Sequence, residues 1–526
     1  MLQRPERAGD LYSGACVFPG GVVEDGDRSA YKYCEGIDDQ TASARLGINE
    51  HGLSYFVASI RECFEEAGLL FAYGPNGRWV DVDGLDSVTF ASLRHRLRTG
   101  ETKLAEACRN LKLRLAIDHL AYYSHWLTPP GLPKRFDTRF FLTIAPAGQT
   151  VMPDGQEAVS YYWLSPAVAL ARAVEFKLRP ATIYTLKSLA RFSTAAACFQ
   201  NALELRDIEM KMPRRARGSG GPRTLIPGDA AYAEVARLDP EGRGDVVCEI
   251  EYDRAVHLSQ RVMRLTVPNG NVMTGPGTNT YLVGGGGSNE WAVIDPGPEM
   301  ASHVERILAV APGPIRSIFV THTHRDHSPA AALLKTLTGA EVLGQPALTN
   351  EWPNSAFQPD RVLFHGDRIA IGDAATLRVI HTPGHASNHL CYLLEEEKTL
   401  FTGDHVMQGS SVVITPPDGN MQAYFSSLRA LLQEDLEWLA PGHGHLMDEV
   451  HRVLHKNIEH RLMRERKVVA MIEELGPSDI EALLSRVYDD VPERMHPMAR
   501  RSLLAHLEKL MSDGYMIEED GFFRLA

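Results

Sequence analysis

Between residues 281 and 440 short apolar runs recur, each bounded by turn-forming residues. They fall at 281–283, 291–294, 315–320, 377–380, 399–401 and 438–440, and they are rich in Val, Ile, Leu and aromatic side chains. Runs this short and continuous are the length of buried strands. Longer stretches with helical spacing, 330–337 and 423–432, lie between them. Strands alternating with helices predict a layered α/β domain. Four glycines, 284–287, separate two of the runs with no helix after them, which predicts a hairpin turn and not a phosphate loop.

The pattern changes on either side of this region. Residues 453–474 form a charged helical stretch, and 479–488 and 498–511 show amphipathic spacing. Residues 515–525 read as a hairpin with Asp520-Gly521 at its turn. Two helices and a terminal hairpin predict a small winged-helix module. In the first half, Phe56, Val57, Ile60, Phe64 and Ala67 fall on one side of a predicted helix that Gly68 ends.

At 526 residues the chain is too long for one ordinary core, so two to four domains are expected. Hydrophobic residues at 44% supply enough apolar material for each. Residues 211–223, K-M-P-R-R-A-R-G-S-G-G-P-R, have no apolar periodicity and read as a linker. The expected boundaries are 1–210, a linker at 211–224, 225–452, and 453–526. The net charge of −13 excludes a uniformly basic face for nucleic acid. Seven scattered cysteines without a C-x-x-C argue against a disulfide framework or a thiolate metal site. The N-terminus lacks the apolar stretch of a signal peptide, and no apolar run is long enough to span a bilayer. No membrane partner and a cytoplasmic location are the expectations; oligomeric state is left open.

The candidate chemistry sits at the ends of the predicted strands. T-H-T-H-R-D-H, residues 321–327, follows the run 315–320 and brings His322, His324, Asp326 and His327 together. Three imidazoles and a carboxylate suit a borderline-soft divalent ion such as zinc. Asp295 (V-I-D-P-G), His385 (H-T-P-G-H), Asp404 (F-T-G-D) and His443 (A-P-G-H-G) each stand just after another strand-like run, beside Gly or Pro. Nearby His381, His389, His405 and His445 are expected to be structural.

This constellation resembles the metallo-β-lactamase superfamily, whose signature segments occur here in order. The resemblance implies an αββα sandwich holding two Zn²⁺. His322, His324 and His385 would take the first ion, and Asp326, His327 and His443 the second. Asp404 would bridge them, Asp326 and Asp404 acting as the catalytic carboxylates, with Asp295 supporting the ligand loop. Two such ions lower the pKa of a bridging water to near 7, so the reaction class is hydrolysis. G-P-G-T-N-T-Y-L-V at 275–283, T-P-G-H-x-x-x-H and the winged-helix-like tail are most similar to the small β-lactamase-like endoribonucleases. That similarity implies a phosphodiester, RNA-type substrate, with the C-terminal module as a contact for single-stranded nucleic acid. Arg461, Arg464, Arg466 and Lys467 could touch phosphates, but a solvated helix face is the preferred reading of them. A glyoxalase II-like thioester hydrolase is the alternative within the superfamily. A non-enzymatic nucleic-acid-binding or scaffold protein is the alternative outside it.

In the first half, Arg61-Glu62-Cys63-Phe64-Glu65-Glu66-Ala67-Gly68 places three carboxylates at spacings of three and four on a helix. Their mutual repulsion would be relieved by an oxygen-seeking Mg²⁺ or Mn²⁺. With Phe18-Pro19-Gly20-Gly21 upstream, the segment resembles a Nudix box of the coenzyme A-type branch. Asp27 stands where the first Glu is expected, and a longer segment precedes Arg61. R-F-D-T-R-F-F-L at 135–142 and Y-Y-W-L-S-P at 161–166 also resemble that branch. The implied fold is an α/β/α sandwich with short or missing first strands. Its implied chemistry is catalysis and metal binding by Glu62, Glu65 and Glu66, with Arg61 orienting a carboxylate and a diphosphate such as coenzyme A as substrate. It is either a live second site or a retained scaffold.

Overall fold

The computed structural model describes residues 1–9, 12–81, 87–132, 134–252, 254–347 and 357–526. They divide into two compact units, the first comprising mainly 1–215 and the second mainly 245–526. The segment between belongs to both in turn: 223–227 and 241–244 join the first unit, 216–222 and 228–240 the second. The stretch expected as an irregular linker instead carries the short strands Arg214–Gly218 and Gly221–Leu225. Composition alone could not show that its Ser and Gly residues form the turn between them.

In the first unit the helix Leu53–Ala67 is the organising element. Its apolar side buries Phe56, Val57, Ile60 and Phe64 completely. Phe56 meets Phe141 at 4.6 Å and Phe64 meets Phe90 at 4.8 Å between ring centroids. The helix stops at Gly68, whose φ of +75° is left-handed and lets its N–H cap the Phe64 carbonyl at 3.0 Å. One sheet pairs Leu127 to Asp137 and Ala121 to Leu142 in antiparallel register, with Met210–Lys211 parallel on its other edge. The first strands, Leu2–Gln3 and Cys16–Val17, are two residues each.

The second unit is built from two facing sheets. The first runs from Val256–His257 through Val262–Thr266, Asn279–Gly285, Glu290–Ile294, Ile315–Phe319 and Glu341–Gly344 to Arg361–Val362. The second runs through Arg368–Ile371, Ala375–His381, Leu390–Leu394, Thr399–Gly403 and Trp438–Pro441. Alternation along each strand assigns the two faces. Tyr281, Val283, Ile294 and Phe319 point between the sheets and meet Leu377, Tyr392, Phe401 and Ala440. Ring pairs Tyr281–Phe401 at 5.0 Å and Phe319–Tyr392 at 5.1 Å stitch this inner layer. Leu282, Val293 and Ile318 point outward onto the helices Ala301–Val310 and Ala330–Thr338. Ile380, Leu393 and Leu400 point outward onto Met421–Leu431 and Val450–Leu475. The layers are therefore α, β, β, α. Both outer helix layers are apolar on one side because each strand offers them every second residue.

The helices Ile480–Val487 and His496–Ser512 and the hairpin Met516–Glu519/Phe522–Leu525 close a small core around Leu483, Val487, Leu503, Leu507 and Phe523. Asp520 and Gly521 turn the hairpin at φ +53° and +82°. Among the described residues no helix is long and apolar enough to cross a membrane.

Candidate metal centre and its relatives

The ligand-type residues follow the C-terminal ends of strands in both facing sheets, and the fold brings them together. His322, His324, Asp326 and His327 follow Ile315–Phe319, His385 follows Ala375–His381, Asp404 follows Thr399–Gly403 and His443 follows Trp438–Pro441. Their ligand atoms form two groups, each with all atoms within 4.8 Å of one another: His322, His324 and His385, and Asp326, His327, Asp404 and His443.

In the first group the Nδ1 of His324 lies 2.9 Å from the Nε2 of both His322 and His385. Burial holds His322 and His324 below the ordinary histidine range, His324 down to about 4, with His385 adding to the effect on His324. Neutral rings present lone pairs, which is the state a metal requires. In the second group the Nε2 of His443 lies 3.3 Å from Asp326 Oδ2 and 3.2 Å from Asp404 Oδ1. His327 Nε2 stands 3.4 Å from the same two oxygens. Asp404 Oδ2 faces His385 at 3.7 Å, so one carboxylate reaches both groups. His327 Nε2 and Asp404 Oδ1 are buried without a hydrogen-bond partner. Buried polar atoms are normally satisfied, and a cation between them would do that here. The donor set, imidazole and carboxylate with no thiolate, fits zinc and its divalent neighbours.

The other ring nitrogens are fixed from behind. His385 Nδ1 donates to the Val413 carbonyl at 2.7 Å, and His443 Nδ1 to the Gly277 carbonyl at 3.1 Å. His327 Nδ1 donates to Asp295 Oδ2 at 2.8 Å, and Thr321 donates to the same carboxylate through its N–H and hydroxyl, each at 2.8 Å. Those three bonds hold Asp295 in the left-handed region, at φ +52°, which a non-glycine residue enters only at a cost. Gly442 has a different reason: a Cβ there would lie 2.8 Å from Asp404 Oδ1 and 2.9 Å from His327 Cε1. The glycine of P-G-H leaves room for the ligands.

The comparisons with known proteins agree with this geometry. Residues 273–443 match the model of the metallo-beta-lactamase superfamily. The chain is 33% identical over 270 residues to the lactamase-like protein aptB of Emericella nidulans, covering 49% of this chain and 82% of the relative. The chain belongs to the metallo-β-lactamase superfamily. It is also 30% identical over 269 residues to a beta-lactamase-like protein 2 homolog of Caenorhabditis elegans (49% of this chain, 86% of the relative). An atrochrysone carboxyl ACP thioesterase of Aspergillus chevalieri is 30% identical over 275 residues (49% and 82%). Residues 480–524 match the beta-lactamase associated winged helix domain and 50–189 the NUDT19 Nudix domain. This member of the superfamily is thus a hydrolase with a Nudix domain before, and a winged helix after, the metallo-β-lactamase fold.

The four nearby histidines expected to be structural lie outside the two ligand groups. His389 and His405 are completely buried behind the ligands, and His445 is held by Glu234. His381 donates to or accepts nothing from the ligand set and contacts the Ser387 carbonyl through Nε2 at 3.1 Å. Of the four basic residues on the helix expected as a solvated face, two are buried. Arg461 holds the Val412 carbonyl, Arg464 holds the Val487 carbonyl and Asp490, and Lys467 pairs with Asp489; Arg466 is exposed.

In the Nudix domain Arg61 is buried and its guanidinium is fully engaged. Nε and Nη2 bond the two oxygens of Asp27 at 2.9 and 3.2 Å, Nη1 bonds Glu62 at 2.8 Å, and Nη2 also reaches the Val22 carbonyl. Asp27, which stands where the first Glu is expected, therefore fills one side of the Arg61 fork. The loop Phe18–Gly21 closes on the helix: Gly20 N–H donates to Glu66 at 3.0 Å, and a Cβ on Gly21 would lie 2.4 Å from Glu62 Oε1. Burial raises Glu65 to about 7 and Glu66 to about 8, with Glu62 adding repulsion to both. Among the described residues, Glu62, Glu65 and Glu66 are not drawn into a single group of ligand atoms as the histidines are. Glu62 is turned to Arg61, and Glu66 to a backbone amide.

Sequence reasoning missed the groups that hold the His443 loop. Asn279 donates to the carbonyls of Pro441 and Gly444 at 3.0 and 2.8 Å, and Tyr281 donates to Pro441 at 2.8 Å. The N-T-Y of the signature was visible; its task needs the fold.

Proposed function

We propose that the metallo-β-lactamase domain is a dinuclear zinc hydrolase acting on a thioester. The observation that carries this is Asp404, whose two oxygens face two separate clusters of inward-aimed ligand atoms. His322, His324 and His385 would hold one ion, and Asp326, His327 and His443 the other. A bound pair supplies hydroxide at neutral pH and polarises a carbonyl. The chain's own residues orient that chemistry: Asp404 spans the two positions, and Asp295 and the Val413 and Gly277 carbonyls fix the ring tautomers. Asp326, 25% exposed along its side chain against 11% for Asp404 and 10% for His385, is open to solvent and would guide the reacting water.

Two observations favour a thioester over a phosphodiester. A relative carrying the thioesterase name shares half of this chain at 30% identity. The arginines and lysine that would receive phosphates are mostly engaged internally. An RNA-type substrate is the second reading, favoured by the winged-helix match at 480–524. The test is one substrate panel, an acyl-carrier or acyl-glutathione thioester beside single-stranded RNA, given to wild type and Asp404→Asn. Thioester cleavage lost in the variant supports the first reading. RNA cleavage lost in the variant moves the function to the second.

For the Nudix domain we propose diphosphate hydrolysis with Mg²⁺ or Mn²⁺, Glu62, Glu65 and Glu66 turning to the cation when it binds. Coenzyme A cleavage that disappears in Glu65→Gln would support it, and no cleavage of any diphosphate would make the domain a scaffold.

A further inference from the structure

The loop that carries His443 is gripped from a second direction by a residue outside the superfamily match. Glu234 lies on the helix Tyr232–Leu238, well before residue 273, and is 3% exposed. Its Oε2 accepts from the Leu446 N–H at 2.9 Å and from Arg264 Nη1 at 2.5 Å. Its Oε1 accepts from Arg264 Nη2 at 2.9 Å and from His445 Nδ1 at 3.3 Å. Burial alone would raise this carboxyl, yet Arg264 and His445 hold it well below the carboxylate range. A buried carboxylate surrounded only by donors has one arrangement that satisfies it, and any shift of the loop leaves charge unpaired. Arg264 is itself 2% exposed and stands on the strand beside Asn279–Gly285, so the loop is clamped to the sheet.

The clamp acts at residues 445 and 446, immediately after the ligand. Before the ligand, Asn279 and Tyr281 both hold the Pro441 carbonyl, and Asn279 also holds that of Gly444 after it. His443 is therefore suspended between two fixed points. We propose that Glu234 is a positioning residue for the second ion, setting His443 against Asp326 and His327. It follows that the support of the metal centre reaches back to Glu234, although the family match begins after it. This inference rests on the dinuclear reading above.

Zinc or cobalt(II) titration of the chelator-stripped full chain tests it, with per-site affinity read by calorimetry and by the cobalt ligand-field spectrum. In Glu234→Ala the first ion is expected to bind as in wild type and the second at least about tenfold more weakly. Glu234→Gln keeps the volume and one acceptor for the Leu446 N–H, stays folded if the alanine does not, and is expected to fall between. Arg237→Ala removes the same helix's other ion pair, to Glu397 at 2.9 Å, and is expected to leave both ions unchanged. Second-ion affinity within threefold of wild type in Glu234→Gln and Glu234→Ala would overturn the proposal. So would equal weakening in Arg237→Ala, which would make the effect one of helix docking. A wild type that binds no ion at all would contradict the dinuclear reading and carry this proposal down with it.

Discussion

The two candidate centres of this chain treat their charged groups in opposite ways. In the metallo-β-lactamase domain the outer nitrogens of His327, His385 and His443 are each bonded from behind, and the inner atoms turn toward one another, with His327 Nε2 and Asp404 Oδ1 left without a hydrogen-bond partner. In the Nudix domain the inner atoms are already occupied, Glu62 by Arg61 and Glu66 by the Gly20 amide. The first centre is built in advance for a cation, at the cost of strain at Asp295 and two orphaned polar atoms. The second has settled its charges internally and must exchange those bonds to take a cation. Preorganisation, more than the presence of the right residue types, separates the two.

Changes that break the comparison should have unequal effects. Asp404→Ala removes the group shared by both ligand clusters, and hydrolysis by the metallo-β-lactamase domain is expected to fall by about 10³-fold or more; steady-state kinetics measures it. Asp295→Asn keeps the shape but only one acceptor oxygen, which cannot serve both the Thr321 N–H and His327, and metal affinity is expected to drop about 10- to 100-fold, read by competition with a chelator. In the Nudix domain the largest effect should be on stability. Glu65 and Glu66 are raised from 4.5 to about 7 and about 8, so the unfolded chain ionises first as pH rises. Stability from these groups is greatest below about pH 4.5 and is lost as pH climbs through 7 and 8. The melting temperature of this domain without divalent cations should therefore fall between pH 5 and pH 8, and added Mg²⁺ should restore it. Glu66→Gln, which removes the buried charge and keeps an acceptor for Gly20, should flatten that pH dependence and shift the melting temperature at pH 8 upward by a few degrees. A flat profile in wild type would contradict the buried-carboxylate account.

How much of this was legible in the sequence depended on range. The residues that the fold gathers into two groups were legible because each follows an apolar run beside Gly or Pro, a pattern contained in a few residues. The terminal hairpin at Asp520-Gly521 was legible for the same reason. The strands Val262–Thr266, Glu341–Gly344 and Leu390–Leu394 were not singled out, since short apolar runs at these positions do not differ from helix segments by periodicity. Glu234 carried no signal, because a carboxylate's burial by Arg264 and Leu446 is decided by packing between distant segments. The glutamates of the Nudix helix show the reverse failure. Their spacing placed three carboxylates on one helix, where the structure has them, but spacing could not reveal that Arg61 and Gly20 already hold two of them.

The central claim is that one carboxylate joins two metal sites, and bound metal tests it most directly. Elemental analysis of the purified chain, wild type beside Asp404→Ala and His322→Ala, gives the answer without a substrate. Near two zinc per wild-type chain is the expected result, with one retained in His322→Ala and fewer than one in Asp404→Ala. A wild type with no bound metal, or one whose content Asp404→Ala leaves unchanged, would contradict it.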